Sequence, residues 1–176
     1  MTETILPSIG APFGGGYFAG LHPTEPGIAI VVAPRAEGEA PDELVWSESG
    51  DEAPGARSMT DGFANSEALN DDDHPAAQFC RGLTIDGQTD WYLPSVDEMT
   101  VIRRNLFPRA GVMPSQTAAE VFQKGAPEAF DLDWYWTSTE WGAGYAWVQY
   151  FFNGSQLSYG SKSAECRVRA VRKCPL

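Results

Sequence analysis

The sequence predicts an α+β fold on three observations. Two helix-start signals with amphipathic spacing fall in the middle of the chain, β-rich runs separated by turn signals fill its last third, and another pair of such runs lies near the N-terminus. The order is therefore hairpin, two helices, antiparallel sheet. A chain of 176 residues, 43% apolar and 20% charged, is apolar enough to fold and long enough for one substantial core rather than two.

The elements follow in order. Tyr17 to Leu21 and Ile28 to Val32 flank the turn cluster His22-Pro23-Thr24-Glu25-Pro26-Gly27, which reads as a hairpin. From Ala36 to Met59 the chain is rich in Glu, Asp, Ala, Pro and Gly, an exposed excursion with one short strand at Leu44-Val45-Trp46. Asp61 to Asn70 leads into the next element. Asp71-Asp72-Asp73 and then Pro75 mark the first helix start, because carboxylates and an early proline suit the positive end of the dipole. Its apolar face is Ala76, Phe79, Cys80 and Leu83, and Asp86-Gly87 ends it in a turn. Ser95 and Glu98 have capping-box spacing at the start of a second helix, with Met99, Ile102 and Leu106 on its apolar face. Pro108 closes it, and a Gly/Pro-containing stretch with a short helix at Thr117 to Gln123 runs on to Asp133. Strands are expected at Trp134 to Thr139, Tyr145 to Phe152, Gln156 to Tyr159 and Cys166 to Arg172, with a type I′ turn at Asn153-Gly154.

The formal net charge is −12, and residues 1 to 80 hold fourteen acidic and two basic side chains against ten of each in the remainder. An acidic surface repels phosphate backbones and anionic lipid, so no nucleic-acid partner is expected. The apolar run Ile28 to Pro34 is too short to span a bilayer and follows no basic segment, so neither membrane insertion nor a signal peptide is expected. Three cysteines, Cys80, Cys166 and Cys174, allow at most one internal disulfide, and a reducing cytoplasm would keep all three as thiols.

Four stretches carry a family resemblance: His74 to Leu83, Asp90-Trp91-Tyr92-Leu93-Pro94-Ser95-Val96-Asp97-Glu98, Tyr135-Trp136-Thr137-Ser138-Thr139-Glu140, and Arg167-Val168-Arg169-Ala170-Val171-Arg172. In this order they resemble the Lcl C-terminal-type domain, a branch of the C-type-lectin-like fold found in phage virion proteins and bacterial surface proteins. The stretch Ile9 to Tyr17 also looks like the leader of this domain in phage proteins. The resemblance implies a C-type-lectin-like domain at residues 61–176 behind an N-terminal β docking segment at 1–60. It also implies a virion location with assembly in the host cytoplasm, other virion proteins as partners, and a homo-oligomer, a trimer being common among tail and spike proteins. The expected work is tail-fibre or spike adhesion to a host-surface glycan or protein; the alternative is a virion decoration protein that binds no receptor. Lectin-like domains often tie their ends together, which would pair Cys80 with Cys174, and Cys166 with Cys174 is the competing pair. The formylglycine-generating enzymes share the general fold and use two cysteines, but the resemblance is to the non-catalytic branch, and His22 and His74 lack triad partners, so no enzyme is expected.

Ten of the 21 aromatic residues lie between Trp134 and Tyr159, among small polar residues, which is the composition of a recognition surface and also of a core. Trp136, Trp147 and Phe151 are assigned to the core. Trp141, Tyr145, Asn153, Gln156 and Tyr159 are the candidate ligand-binding surface. Asp131, Asp133, Glu140 and Asn153 have the oxygens a calcium ion needs but are scattered, so neither a metal site nor a cofactor is expected, and Glu140 is expected to support the loop after its strand. Five of the twelve basic residues fall between Lys162 and Lys173, and these arginines are expected to pair with carboxylates inside the fold.

Overall fold

The structure, a computed structural model, describes residues 6–176. It is α+β, with all strand ladders antiparallel and four α-helices among the described residues. Strands β1 (Pro12–Phe13), β2 (Gly16–Leu21) and β3 (Ile28–Val32) form the expected hairpin region. The one-turn helix α1 (Arg35–Gly38), strand β4 (Leu44–Val45) and a 3₁₀ turn at Pro54–Ala56 occupy the acidic excursion. Then come α2 (Gly62–Ala68), α3 (Pro75–Arg81) and α4 (Val96–Leu106). The last third holds β5 (Trp134–Gly142), β6 (Tyr145–Tyr150), β7 (Gln156–Ser161), β8 (Glu165–Cys166) and β9 (Val171–Pro175).

The strands make a four-stranded sheet in the order β1-β2-β3-β9, a pair β4-β8, and a three-stranded sheet β5-β6-β7. Strand β3 is apolar at every position because both its faces are covered. Ile30 and Val32 pack with Met99, Ile102 and Leu106 of α4 and with Tyr135 and Phe151, while Val31 faces a second cluster of Trp46, Trp91, Trp136 and the α3 residues Ala76, Ala77 and Cys80. The aromatic segment of the last third thus feeds both halves of the core.

Four local expectations are corrected. Two helices were expected and α1 and α2 add to them; Asp61 caps α2 by accepting from the Ala64 amide at 3.1 Å, a signal outweighed by the polarity of the segment. The helix expected at Thr117 to Gln123 is a single 3₁₀ turn, Glu120–Phe122. The Asn153-Gly154 turn is not type I′: only Gly154 has positive φ, and a four-residue loop from Phe151 to Gly154 closes with the Gly154 amide on the Tyr150 carbonyl at 2.9 Å. The strand expected at Cys166 to Arg172 breaks into β8 and β9, since Arg167 bridges to Tyr135 of β5 whereas Arg169 bridges to Glu39 near α1. The N-terminal hairpin is also no appendage to the sheet, since all five residues of β3 pair with β9, from Ile28 opposite Pro175 to Val32 opposite Val171.

Candidate functional site

The three-stranded sheet carries most of the candidate residues, and a wide bulge in β5 fixes it to the rest of the fold. Trp136 pairs with Val148 and Glu140 with Ala146, so β5 has two more residues than β6 over this interval. The extra segment turns its small polar groups inward. The Ser138 amide donates to the Pro94 carbonyl at 2.8 Å, and the Thr139 hydroxyl accepts from the Val96 amide at 3.1 Å and donates to the Ser58 carbonyl at 2.9 Å. The Tyr135 to Glu140 stretch therefore seats the Trp91 to Ser95 stretch and the start of α4.

Glu140 ends this bulge as a buried anchor. Its carboxylate accepts from the Ala53 amide at 2.6 Å, Arg57 Nε at 2.7 Å and Lys162 Nζ at 2.7 Å, and Lys162 also donates to the Asp51 carbonyl at 2.6 Å. Burial alone would push the Glu140 carboxyl up, but these bonds outweigh it and hold the group below the usual carboxylate range. Glu140 thus supports the 51–57 loop and Lys162 rather than the loop after its own strand. No three His, Cys, Asp or Glu residues gather as metal ligands among the described residues.

The five candidate binding residues do not form one surface. Trp141, Tyr145 and Tyr159 are 59%, 47% and 63% exposed. Trp141 and Tyr145 share the corner where β5 turns into β6, and Trp141 meets the half-buried Trp147 edge-on at 5.7 Å. Asn153 is exposed in the β6–β7 loop, where its Oδ1 accepts from the Ser155 amide. Gln156 is half-buried and tied to α4 through the Thr100 hydroxyl and the Val96 carbonyl, so its amide is committed to the fold. Tyr159 stands over a separate cleft of about 240 Å³, walled by Trp134, Trp136, Val148 and Leu157 with Glu165 and Cys166 at its edge. Val148 and Trp147 are adjacent on β6 and point to opposite faces, which separates this cleft from the Trp141 corner.

Residue-by-residue composition gave no hint of an aromatic column beside that cleft. Trp134 stacks on Tyr150 at 4.2 Å and 9°, Tyr150 stacks on Phe152 at 5.7 Å and 26°, and the Arg109 guanidinium caps Phe152 at 4.2 Å. The signal was the register, Trp134 opposite Tyr150, which becomes visible only once the bulges are known.

The family model described as the Lcl C-terminal domain matches residues 39–172. The chain belongs to the Lcl C-terminal domain family. The match takes in all four quoted stretches and stops short of β1, β2 and β3. Comparison with curated proteins gives no match.

The basic terminal stretch of this Lcl C-terminal domain protein is spent on carboxylates within the fold, as expected. Arg167 pairs with Asp131 at 3.1 Å, Arg169 with Glu128 at 2.6 Å, Arg172 with Asp90 at 2.7 Å and Lys173 with Glu25 at 2.7 Å. Glu39 sits among Arg35, Arg167 and Arg169 and receives the Tyr135 hydroxyl at 3.2 Å; its burial nonetheless pushes its carboxyl up, the arginines opposing. All three cysteines are free thiols. Cys80 and Cys166 are buried, and burial pushes the Cys166 thiol up to about 12. Neither pairing considered for Cys174 is made; Cys174 lies on β9 opposite Ala29.

Proposed function

We propose that this chain is a phage virion surface protein of the tail-fibre or spike type, whose C-type-lectin-like domain adheres to a glycan or protein on the host surface. The observation that carries the reading is the corner formed by Trp141 and Tyr145. Two large aromatic side chains stand in solvent there, backed by Trp147 on a sheet that Glu140 and the β5 bulge tie to the 51–57 loop and to α4. Rigid aromatics lose little conformational entropy on binding and supply the anchors of recognition surfaces. Beneath the corner Glu140, Lys162 and Thr139 are engaged in holding the scaffold, which leaves loops and corners for partner contact. The cysteine chemistry of the fold's oxidising enzymes needs a lowered thiol pKa, and Cys166 is shifted the other way. Binding is weak per copy and gains from many copies on a particle, in a homo-oligomer assembled with other virion proteins.

The test is adhesion of purified, multivalently displayed protein to candidate host cells and extracted surface glycans, beside a Trp141→Ala, Tyr145→Ala variant. Saturable binding that the variant loses by tenfold or more supports adhesion. Absence of binding by either protein transfers the domain to the decoration reading, in which the same corner packs on a neighbouring virion protein.

A further inference from the structure

The cleft under Tyr159 combines three properties. Its walls are aromatic: Trp134, whose one face is already covered by Tyr150, lines it together with Trp136, and Tyr159 forms an exposed lip. Its volume of about 240 Å³ lies below the roughly 300–1,000 Å³ of pockets for drug-sized ligands, which suits a compact headgroup rather than an oligosaccharide. Its surroundings are negative. Glu165 lines the cleft, Glu43 precedes Leu44, the strand partner of the lining residue Cys166, and Asp133 precedes the lining residue Trp134 and accepts from its amide at 2.8 Å.

Among the described residues no cation answers these three carboxylates. Glu43, Asp133 and Glu165 take part in no ion pair among the described residues; Lys162 is committed to Glu140, and Arg167 to Asp131 and Glu39. An aromatic recess with uncompensated negative charge around it favours a cation whose surface is apolar, because ring faces attract positive charge without requiring hydrogen bonds. A primary ammonium is strongly hydrated and would need acceptors at the bottom of the cleft, where Trp136, Val148 and Leu157 offer none. We propose that this cleft binds a quaternary alkylammonium group, of which the choline headgroup is the simplest form. The proposal rests on the reading of the domain as a binding module but not on the Trp141 and Tyr145 corner, so each can fail alone.

The experiment is titration of the intact protein with choline chloride, followed by calorimetry and tryptophan fluorescence, against 3,3-dimethylbutanol, which has the shape of choline without its charge. Choline is expected to bind saturably and at least tenfold more tightly than the alcohol. Tyr159→Ala and Glu165→Gln, both at exposed positions, are each expected to weaken it about fivefold, equivalent to about 1 kcal/mol. The Trp141→Ala, Tyr145→Ala variant is expected to bind choline as the parent does. Equal binding of choline and the alcohol, no saturable response to choline, or affinity unmoved by Tyr159→Ala and Glu165→Gln would each overturn the proposal.

Discussion

Glu140 and Lys162 form an ion pair with both side chains fully out of solvent, 2.7 Å apart, and the Lys162 ammonium also lies 4.8 Å from the centre of the Trp46 ring. Such a pair adds little over an apolar pair of the same shape, but breaking it from one side strands a charge. Lys162→Met is therefore expected to cost about 3 kcal/mol at neutral pH, the low end for a buried pair because Arg57 still reaches Glu140 at 2.7 Å. The pH dependence follows from the direction of the Glu140 shift. Its folded pKa is depressed, so the stability it contributes is present above the ordinary glutamate value, about 4.3, and is lost as pH falls through the lower folded value. Protein and variant should accordingly converge in acid. Urea unfolding midpoints at pH 7 and near pH 3 check this, and a gap of equal size at both would remove Lys162 as the partner that holds Glu140 ionised. Glu39 works in the opposite sense, since its raised pKa contributes stability that is present in acid and lost as pH rises.

At the scale of elements, α4 shows what local sequence can and cannot reveal. The Ser95 and Glu98 box is three residues wide, and both halves form, with the Ser95 amide on Glu98 Oε2 at 2.8 Å. The same buried carboxylate also accepts from the Gly62 amide at 3.1 Å and the Tyr92 hydroxyl at 2.6 Å, and meets His22 Nε2 at 3.2 Å. Those partners lie on α2, on the Trp91-Tyr92 stretch and at the end of β2, so no spacing rule could find them. They set the expected contrast between two variants. Ser95→Ala loses one capping bond and should cost about 1 kcal/mol. Glu98→Ala strands two backbone donors and a buried hydroxyl, and at about 1 kcal/mol or more each should cost at least about 3 kcal/mol, or roughly 6–12 °C in Tm for a chain of this size. Equal costs, read by thermal unfolding, would reduce Glu98 to a helix cap. The sheet gives the converse lesson. Composition pointed to exposed aromatics at Trp141, Tyr145 and Tyr159, but not to their division between a corner and a cleft. That division follows from a bulge in β7, where Val148 pairs with Leu157 and Ala146 with Gly160, and a one-residue shift of this kind leaves no mark in alternation that is apolar on both faces.

For the molecule as a whole, the open matter is where the folding unit begins. The sequence places a boundary near residue 60, and the family match begins at residue 39, yet β3 lies between β2 and β9 in one sheet. Ile30, Val31 and Val32 are each fully buried and reach both core clusters. At roughly 1.5–3 kcal/mol for each large apolar side chain, their loss alone approaches the 5–15 kcal/mol by which a whole domain is stable. Removing residues 1–34 would also leave β9 an exposed edge over its full length, a template for association with other chains. A fragment of residues 35–176 is therefore expected to lack near-ultraviolet circular dichroism, to unfold without a cooperative urea transition, and to aggregate. Adding the segment 1–34 back as a peptide should restore part of the signal, because β3 carries the complementary strand. A fragment that unfolds cooperatively with stability close to that of the full chain would mean that the sheet closes without β3, and the hairpin would then be the separable docking segment that the sequence suggests.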